Sequence, residues 1–554
     1  MQFIKYVSGL VFFIAPLFAG AQSAYIQQGS KEYILLERLE IKAQRDSILN
    51  FSFIKPYNRK WWMQSLDRLE KTPEDLNLSD VDRYNMVRSR MNNLEWVTGD
   101  KSAYRSKKSL WNTFYKTPAN LIEVDNPDFF LSVNPVLQLN YIHDDQSKER
   151  TFLNTRGFVV RGLVSKKLGF QTYLTENQER APLFVEQSIA RFRAVPGAGN
   201  YKPFKTTAHD YYDMRGSVFF NAAKFLDLQF GYDKQFIGNG YRSLFLSDIS
   251  SSYLFFNLNL RVWKLNYVSK VMELTSQHNR AVTGDVLNPK KYMAVHHISF
   301  NVPKWLTLGL FEAVVFGRPN QFEFSYLNPI IFLRPMEAQL GSPDNAFVGL
   351  DFKANAAKKF QFYGQLLLDE FYLKDIRQGG GPWTSKWGLQ LGAKYIDVLG
   401  VKNLDLQVEA NLVRPFTYSH RDTVANYTHY NQPLAHPLMS NFKEYVGILR
   451  YQPAPRWYLQ GRMNLWTGGK DVNGENWGNN IFRDYTTRAA NYGVYFGSAQ
   501  PTKYMNANLW VAHEFRENLF LEANLSLRKS PEVQSNFFGS VGLRLNMHRR
   551  EYDF

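Results

Sequence analysis

From about residue 130 onward, apolar and polar side chains alternate one by one. Leu131, Val133, Leu137, Leu139 and Tyr141 interleave with Ser132, Asn134, Gln138 and Asn140. Leu404, Leu406, Val408, Ala410 and Leu412 do the same with Asp405, Gln407, Glu409 and Asn411, and the pattern returns at 256–262, 519–527 and 541–547. A period of two sends successive side chains to opposite faces, so each run predicts a strand with one oily and one polar side. The runs last about ten residues, which suits a tilted membrane-crossing strand better than the five or six usual in soluble sheets. Strands are expected to begin near 130, 152, 168, 212, 225, 253, 263, 292, 305, 347, 359, 386, 403, 445, 456, 504, 518 and 537. That is about eighteen, and an antiparallel bacterial barrel with both ends on one side needs an even number.

The connections alternate as well. Tight turns are expected at 165–167, 223–224, 303–304, 357–358, 453–455 and 516–518, with long links at 179–211, 318–346, 416–444 and 468–503 between them. Short turns at one end and long loops at the other are the asymmetry of an outer-membrane barrel. A closed sheet this wide cannot be filled by its own side chains, so the interior is wet or plugged and the oily face must meet lipid. Two soluble β-sandwiches would bury that face instead, but strand length and loop asymmetry argue against them. Trp263, Trp305, Trp457, Trp466 and Trp510 fall near strand ends and are expected to form an aromatic girdle. Pro135 cannot donate to a ladder, so a bulge or strand end is expected there.

Residues 22–125 lack this alternation and read as helical. Residues 33–41 form a short amphipathic run. Ser79 with Asp82 three positions on reads as a capping box ahead of Val81, Tyr84, Val87, Met91 and Leu94 at helical spacing. Such short helices cannot build a large core alone, so a periplasmic or plug segment packed on the barrel is expected, with Tyr84 and Met91 as candidates for docking a partner. Residues 1–21 read as a secretory signal: Lys5, an apolar run over 7–18, then Ala19-Gly20-Ala21 as a cleavage site. A membrane anchor is the alternative, for which the run is short. The fold class is therefore all-β, a transmembrane antiparallel β-barrel spanning 126–554 behind a helical segment at 22–125.

Composition sharpens this. The absence of Cys excludes disulfides, zinc–thiolate and iron–sulfur sites and lipid attachment through an N-terminal Cys. The net charge of +16 favours anionic partners. Export excludes nucleic acid, leaving outer-membrane lipid, lipopolysaccharide phosphates and acidic glycans. No phosphate-cradling Gly loop, G-x-S-x-G elbow or H-E-x-x-H pair occurs, so the chain reads as a non-enzyme with no cofactor, Ser/His chemistry on the loops being the alternative. His296 and His297 are neighbours on a strand and must diverge, as must Asp369 and Glu370. His513-Glu514, near a strand end, reads as interfacial.

Loops carry the remaining chemistry. Aromatic, amide and charged residues interleave around Tyr241 and Arg242 and again around His429, Tyr430 and His436, while Trp383 and Trp477 stand beside small residues. Sugar rings stack on aromatic faces, and amides, Arg and His bond hydroxyls and carboxylates. These seven residues are the candidate polysaccharide contacts. Packing of loop on loop to lid the barrel is the structural alternative.

Several blocks resemble outer-membrane proteins of the Bacteroidota described as gliding-motility RemB-like or capsule-assembly Wzi family: residues 236–248 around Gly238-Asn239-Gly240-Tyr241-Arg242-Ser243, residues 326–332, Gly341-Ser342-Pro343-Asp344-Asn345, Asp369-Glu370-Phe371, and the 430–437 loop. The similarity runs through nearly the whole chain after residue 21. To enterobacterial Wzi it is mainly architectural, an eighteen-stranded barrel with periplasmic helices, plus Asn328-Pro329. The resemblance implies binding or assembly of surface or capsular polysaccharide, or a part in cell-surface gliding. The rivals are a diffusion porin and a structural accessory of gliding or secretion machinery.

Overall fold

The computed structural model describes residues 24–554 except 47, 72–75, 112, 166, 277–286, 319–322, 331, 372–376, 378 and 532–534; the signal expected at 1–21 lies outside the described residues. Eighteen antiparallel strands close into one barrel. They are β1 (Phe129–Asp144), β2 (Thr151–Val164), β3 (Leu168–Arg180), β4 (Ala208–Ala223), β5 (Leu226–Asp233), β6 (Tyr253–Val262), β7 (Leu265–Thr275), β8 (Lys290–Asn301) and β9 (Leu306–Phe316). The circuit continues with β10 (Asn345–Ala356), β11 (Phe360–Phe371), β12 (Ser385–Tyr395), β13 (Leu404–Val413), β14 (Phe442–Tyr451), β15 (Trp457–Lys470), β16 (Gln500–Arg516), β17 (Leu519–Lys529) and β18 (Asn536–Leu545). β18 pairs with β1 from Leu545↔Leu137 to Phe538↔Asp144, leaving no open edge. The largest offsets from the expected starts are Ala208 against 212 and Gln500 against 504.

The alternation resolves as expected for a wet interior. Leu139, Leu310, Leu350, Leu449, Leu509 and Leu525 are exposed on the outside, while Gln138, Asn411 and Asn464 are buried within. A polar lumen behind an apolar exterior is the inverse of a soluble sandwich. Trp263, Trp305 and Trp457 are exposed beside short turns. Trp466 and Trp510 differ from the expected girdle: both share the inward parity of Arg462 and Asn464, Trp466 stacking on Tyr504 and Trp510 donating to Glu522. Pro135 also differs, lying mid-strand in unbroken register. Its carbonyl accepts from Asn546. On that side β18 pairs only down to Leu137, and the short strand Ile122–Asp125 only up to Val133, so the missing N–H falls between two partners.

Helices α1 (Lys31–Ala43), α2 (Arg59–Glu70) and α3 (Asp80–Asn92) lie against the short-turn end. The α3 capping box forms in both directions, Asp82 N–H to Ser79 Oγ at 3.0 Å and Ser79 N–H to Asp82 Oδ2 at 3.1 Å. α1 crosses the barrel mouth. Lys31 reaches Glu514 and Glu517 at the β16–β17 turn, and Glu40 reaches Lys353 on β10. Arg38 binds Asp82 of α3 at 2.9 Å, Asp397 of the β12–β13 turn at 3.0 Å, and Asp405 of β13. Beyond α1 the chain rises into the lumen, where Ile54 and Lys55 pair with Ile237 and Phe236 of the β5–β6 loop, which folds down from the opposite end.

Two further segments shape the barrel. Residues 546–554 run up the lumen: Glu551 meets Arg462, Tyr552 donates to Glu179 at 2.6 Å, and Phe554 reaches Phe184 of α4 (Leu183–Phe192). The β9–β10 loop instead drapes over the outer wall. Its α5 (Leu333–Gln339) covers Val314, Phe316 and Ala346, and Glu312 accepts from Leu333 N–H at 2.9 Å and pairs with His296 at 2.8 Å.

Candidate functional site

The two loop clusters singled out in the sequence meet inside the lumen. Backbone N–H groups of Tyr241 and Arg242 donate to Glu409 at 2.7 and 3.0 Å. The Arg242 guanidinium is buried and bridges Glu444 at 3.1 Å and Asp553 at 3.2 Å; it is held well above its ordinary value, because although burial opposes the charge these carboxylates outweigh it. The Tyr241 hydroxyl accepts from Arg462 at 2.7 Å and bonds Asp553. Glu444 also receives His436 Nε2–H at 2.8 Å, and His436 Nδ1 accepts from Leu438 N–H. Burial lowers the His436 imidazole, and with one nitrogen donating and one accepting it sits as the neutral tautomer.

His429 is organised the same way: Nδ1 accepts from Thr275 N–H at 3.0 Å and Nε2 donates to Ser252 O at 3.1 Å. Burial pulls it down to about 3. Tyr430, half-buried, donates its N–H to Thr275 O at 2.9 Å. Thus Tyr241, Arg242, His429, Tyr430 and His436 fasten the β5–β6 and β13–β14 loops to the wall and to each other, around a core of Leu244, Phe245, Tyr418, Tyr427 and Leu434.

Trp383 and Trp477 lie elsewhere, at the long-loop end. Trp383 N–H donates to Asn491 O at 3.0 Å, while Gly493 and Val494 N–H groups donate to Gly380 and Gly381 at 2.8 and 2.9 Å, so residues 379–383 and 491–494 form one ribbon. Gly381 has φ +63°, and a Cβ there would sit 2.6 Å from the Tyr495 ring; only glycine permits that approach. The Arg488 guanidinium stands 4.2 Å from the Trp383 ring centre and the Tyr485 ring 4.9 Å away, with Tyr492 and Tyr495 exposed alongside. Trp477 is half-buried, its Nε1–H donating to Glu475 at 2.9 Å. The next residue, Gly478, accepts from Phe416, whose ring meets Trp383 edge-on at 6.0 Å. The Trp477 loop and Trp383 are thus linked through the buried Phe416. Sequence reasoning missed Tyr485, Arg488, Tyr492 and Tyr495, although aromatics with an interleaved Arg were visible at 485–496.

The other singled-out residues are placed plainly. Tyr84 accepts from Arg456 at 3.0 Å, and Met91 is buried. His297 points inward to Asp351 at 3.0 Å while His296 faces outward. Asp369 accepts from Tyr418 N–H at 2.6 Å; the side chain of Glu370 is not described. His513 packs on Trp457 at 4.5 Å. Among the described residues no group of three or more His, Asp or Glu could hold a metal, and no helix is long and apolar enough to cross a membrane.

A closed eighteen-stranded barrel, apolar outside and polar within, defines an integral outer-membrane β-barrel protein. No protein-family model matches the sequence, and no curated protein matches it significantly. Among solved structures the chain is similar to Wzi of Escherichia coli, an outer-membrane protein involved in group 1 capsule assembly and a carbohydrate-binding β-barrel. That match has a TM-score of 0.57 at 12% identity, over 95% of this chain and 100% of that one. The outer-membrane protein OprD of Pseudomonas aeruginosa matches with a TM-score of 0.41 at 11% identity, over 76% and 96% of the two chains. OccAB4 of Acinetobacter baumannii gives 0.40 at 10%, over 76% and 98%. The likeness to Wzi is one of fold, and the two weaker matches carry no argument.

Proposed function

We propose that the protein is a non-enzymatic outer-membrane barrel that binds an acidic surface or capsular polysaccharide at its long-loop end. In an outer membrane the long loops face the exterior and the short turns the periplasm, which puts α1–α3 at the periplasmic mouth. The observation that carries the reading is the shelf of Trp383, Tyr485 and Arg488, bordered by Tyr492 and Tyr495, with Trp477 on the loop joined to it through Phe416. Its rings offer stacking faces, and its arginine offers a donor for glycan carboxylates. Tyr241, Arg242, His429, Tyr430 and His436 support it by fixing the loops behind the shelf. The fold shared with a carbohydrate-binding barrel is consistent with this reading.

Purified barrel is expected to retain anionic capsular glycan, less so as salt rises, and Trp383→Ala or Arg488→Ala to weaken retention about tenfold, the loss of one stacked or charge-assisted contact. No retention at low salt sinks the reading. A diffusion porin is the second reading; the ribbon at Lys55 and Phe236 and residues 546–554, which occupy the lumen, speak against it, and planar-bilayer conductance by the intact chain would favour it. The block resemblance extends the proposal to capsule assembly or cell-surface gliding. A deletion strain with normal capsule but no spreading would move the role to a gliding or secretion machine, its docking partner found by cross-linking at Tyr84.

A further inference from the structure

Beside residues 546–554 the lumen holds a cavity of about 470 Å³, the size of a site for a small ligand. It is walled by α1 on one side and by the β5–β6 and β13–β14 loops on the other. Seven Lys and Arg side chains line it against five Asp and Glu among the described residues. Most of the arginines are satisfied: Arg215 by Asp213 at 2.7 Å, Arg242 by Glu444 and Asp553, Arg550 by Tyr211 and Pro196 O.

Lys55 and Lys234 are different. Both side chains are more than nine-tenths buried, both line this cavity, and neither ammonium has an ion-pair or hydrogen-bond partner among the described residues. The Lys55 ammonium rests 4.6 Å from the Phe236 ring centre, and Phe236 pairs with Lys55 across the two-stranded ribbon, two residues past Lys234. Burial draws each down to about 8, so both remain protonated at neutral pH. Lys55 feels the charge of Glu37 and then Asp248, and Lys234 that of Asp213 and then Asp248. Glu37, however, is paired with Lys394 at 3.0 Å and Asp213 with Arg215 at 2.7 Å, and none of the three forms an ion pair with either lysine. Buried charges are rarely left without a counter-ion, so two such ammoniums facing one void describe an anion site.

The same lumen shows what it accepts. Glu551 and Asp553, flanking Tyr552, place carboxylates on Arg462 and Arg242. The same lining adds the rings of Tyr33 and Phe192 and the amides of Gln28 and Gln432, whose Nε2 atoms have no protein partner among the described residues, groups that read sugar rings and hydroxyls.

We propose that this cavity is a binding site for a small acidic sugar, whose carboxylate or phosphate is held by Lys55 and Lys234. The site is separate from the loop-end shelf and stands whether or not the shelf binds polymer.

Calorimetric titration of the detergent-solubilised full chain tests it, with glucuronate, glucose 1-phosphate, inorganic phosphate and neutral glucose as probes. Glucuronate or glucose 1-phosphate is expected to bind and glucose not to. Tighter binding of glucuronate assigns a uronic acid, and tighter binding of glucose 1-phosphate a phosphorylated sugar. Inorganic phosphate binding as well as either sugar would overturn the sugar assignment. Lys55→Gln and Lys234→Gln should each weaken binding at least tenfold and the pair abolish it. Asp248→Asn, which removes a competing carboxylate without emptying the site, should tighten it several-fold, a gain that misfolding cannot produce. Absence of heat with any acidic probe up to about 50 mM, where even very weak sites fill, overturns the proposal, as do identical isotherms for the wild type and the double variant.

Discussion

Arg38 is where the helical layer is most exposed to a single change. Its guanidinium binds Asp82 through Nε at 2.9 Å and Nη2 at 3.2 Å, Asp397 at 3.0 Å, Asn403 at 3.3 Å, and Asp405 through Nη1. One buried cation thus joins α1 to α3 and both to the barrel. Arg38→Met keeps the stem and removes the charge, leaving three carboxylates with Lys42 alone, 2.8 Å from Asp397 and 3.5 Å from Asp82. Removing one partner of a buried ion pair costs about 3–5 kcal/mol, because the abandoned charges stay desolvated. If that cost falls on docking, the undocked population rises roughly 10²- to 10³-fold or more, at 1.4 kcal/mol per factor of ten. Hydrogen exchange of α1 and α3 amides, read by mass spectrometry in nanodiscs, measures it directly. Arg68→Met is the control: that arginine meets Asp46 at 2.6 Å within the helical segment, is partly exposed, and should change exchange by less than about 1 kcal/mol. Exchange in α1 unchanged by Arg38→Met would refute the view that this cluster holds the layer in place.

Acid should loosen the same layer. Burial opposes the Asp82 and Asp397 carboxylates, but Arg38 and Lys42 hold both below their ordinary values, Asp397 down to about 2. Their contribution is therefore complete above the unfolded values near 4 and lost as pH falls toward about 2, and α1 exchange should accelerate across that window. On the outer wall, Ile330 and Phe332 are 88% and 70% exposed on the draped β9–β10 loop, continuous with the apolar belt. The chain has no Cys, so a spin label on Ile330→Cys should be reached by oxygen and shielded from a water-soluble nickel chelate, with Gly474→Cys giving the reverse; aqueous accessibility at 330 would refute lipid contact there. At the closing seam, a Cβ on Gly542 would lie 2.4 Å from Leu139 O, so Gly542→Ala should lower the temperature at which the barrel loses its compact electrophoretic form.

The wall was legible because its rule is local. Every strand carries its own alternation, and lipid outside with water inside reads that alternation the same way all round. The residues that differ divide the same way: Trp466 and Trp510 keep the inward parity of their strands over their place near strand ends, whereas Pro135 is tolerated because two partners stop short on its side, which a single strand cannot show. The loops were less legible. Whether an aromatic loop projects outward or folds into the lumen depends on what fills the other half, and that is set by contacts such as Arg242 with Asp553, 311 positions apart. His429 and His436 look in sequence like ligands for a sugar, and in space each satisfies backbone or carboxylate groups inside the barrel. Lys55 and Lys234 carry no motif; they become a pair only because a segment from below and a loop from above meet on one ribbon.

Residues 546–554 follow β18 directly, yet they lie inside the cylinder that β18 completes by pairing with β1, about 400 positions earlier. β18 ends at the short-turn mouth, so these nine residues turn back indoors through the opening that α1 crosses, with His548 set against Gln27 and Gly29. Tail and helical layer therefore share one doorway. The acidic side chains that settle on Arg242 and Arg462 fasten that tail from within, behind the doorway.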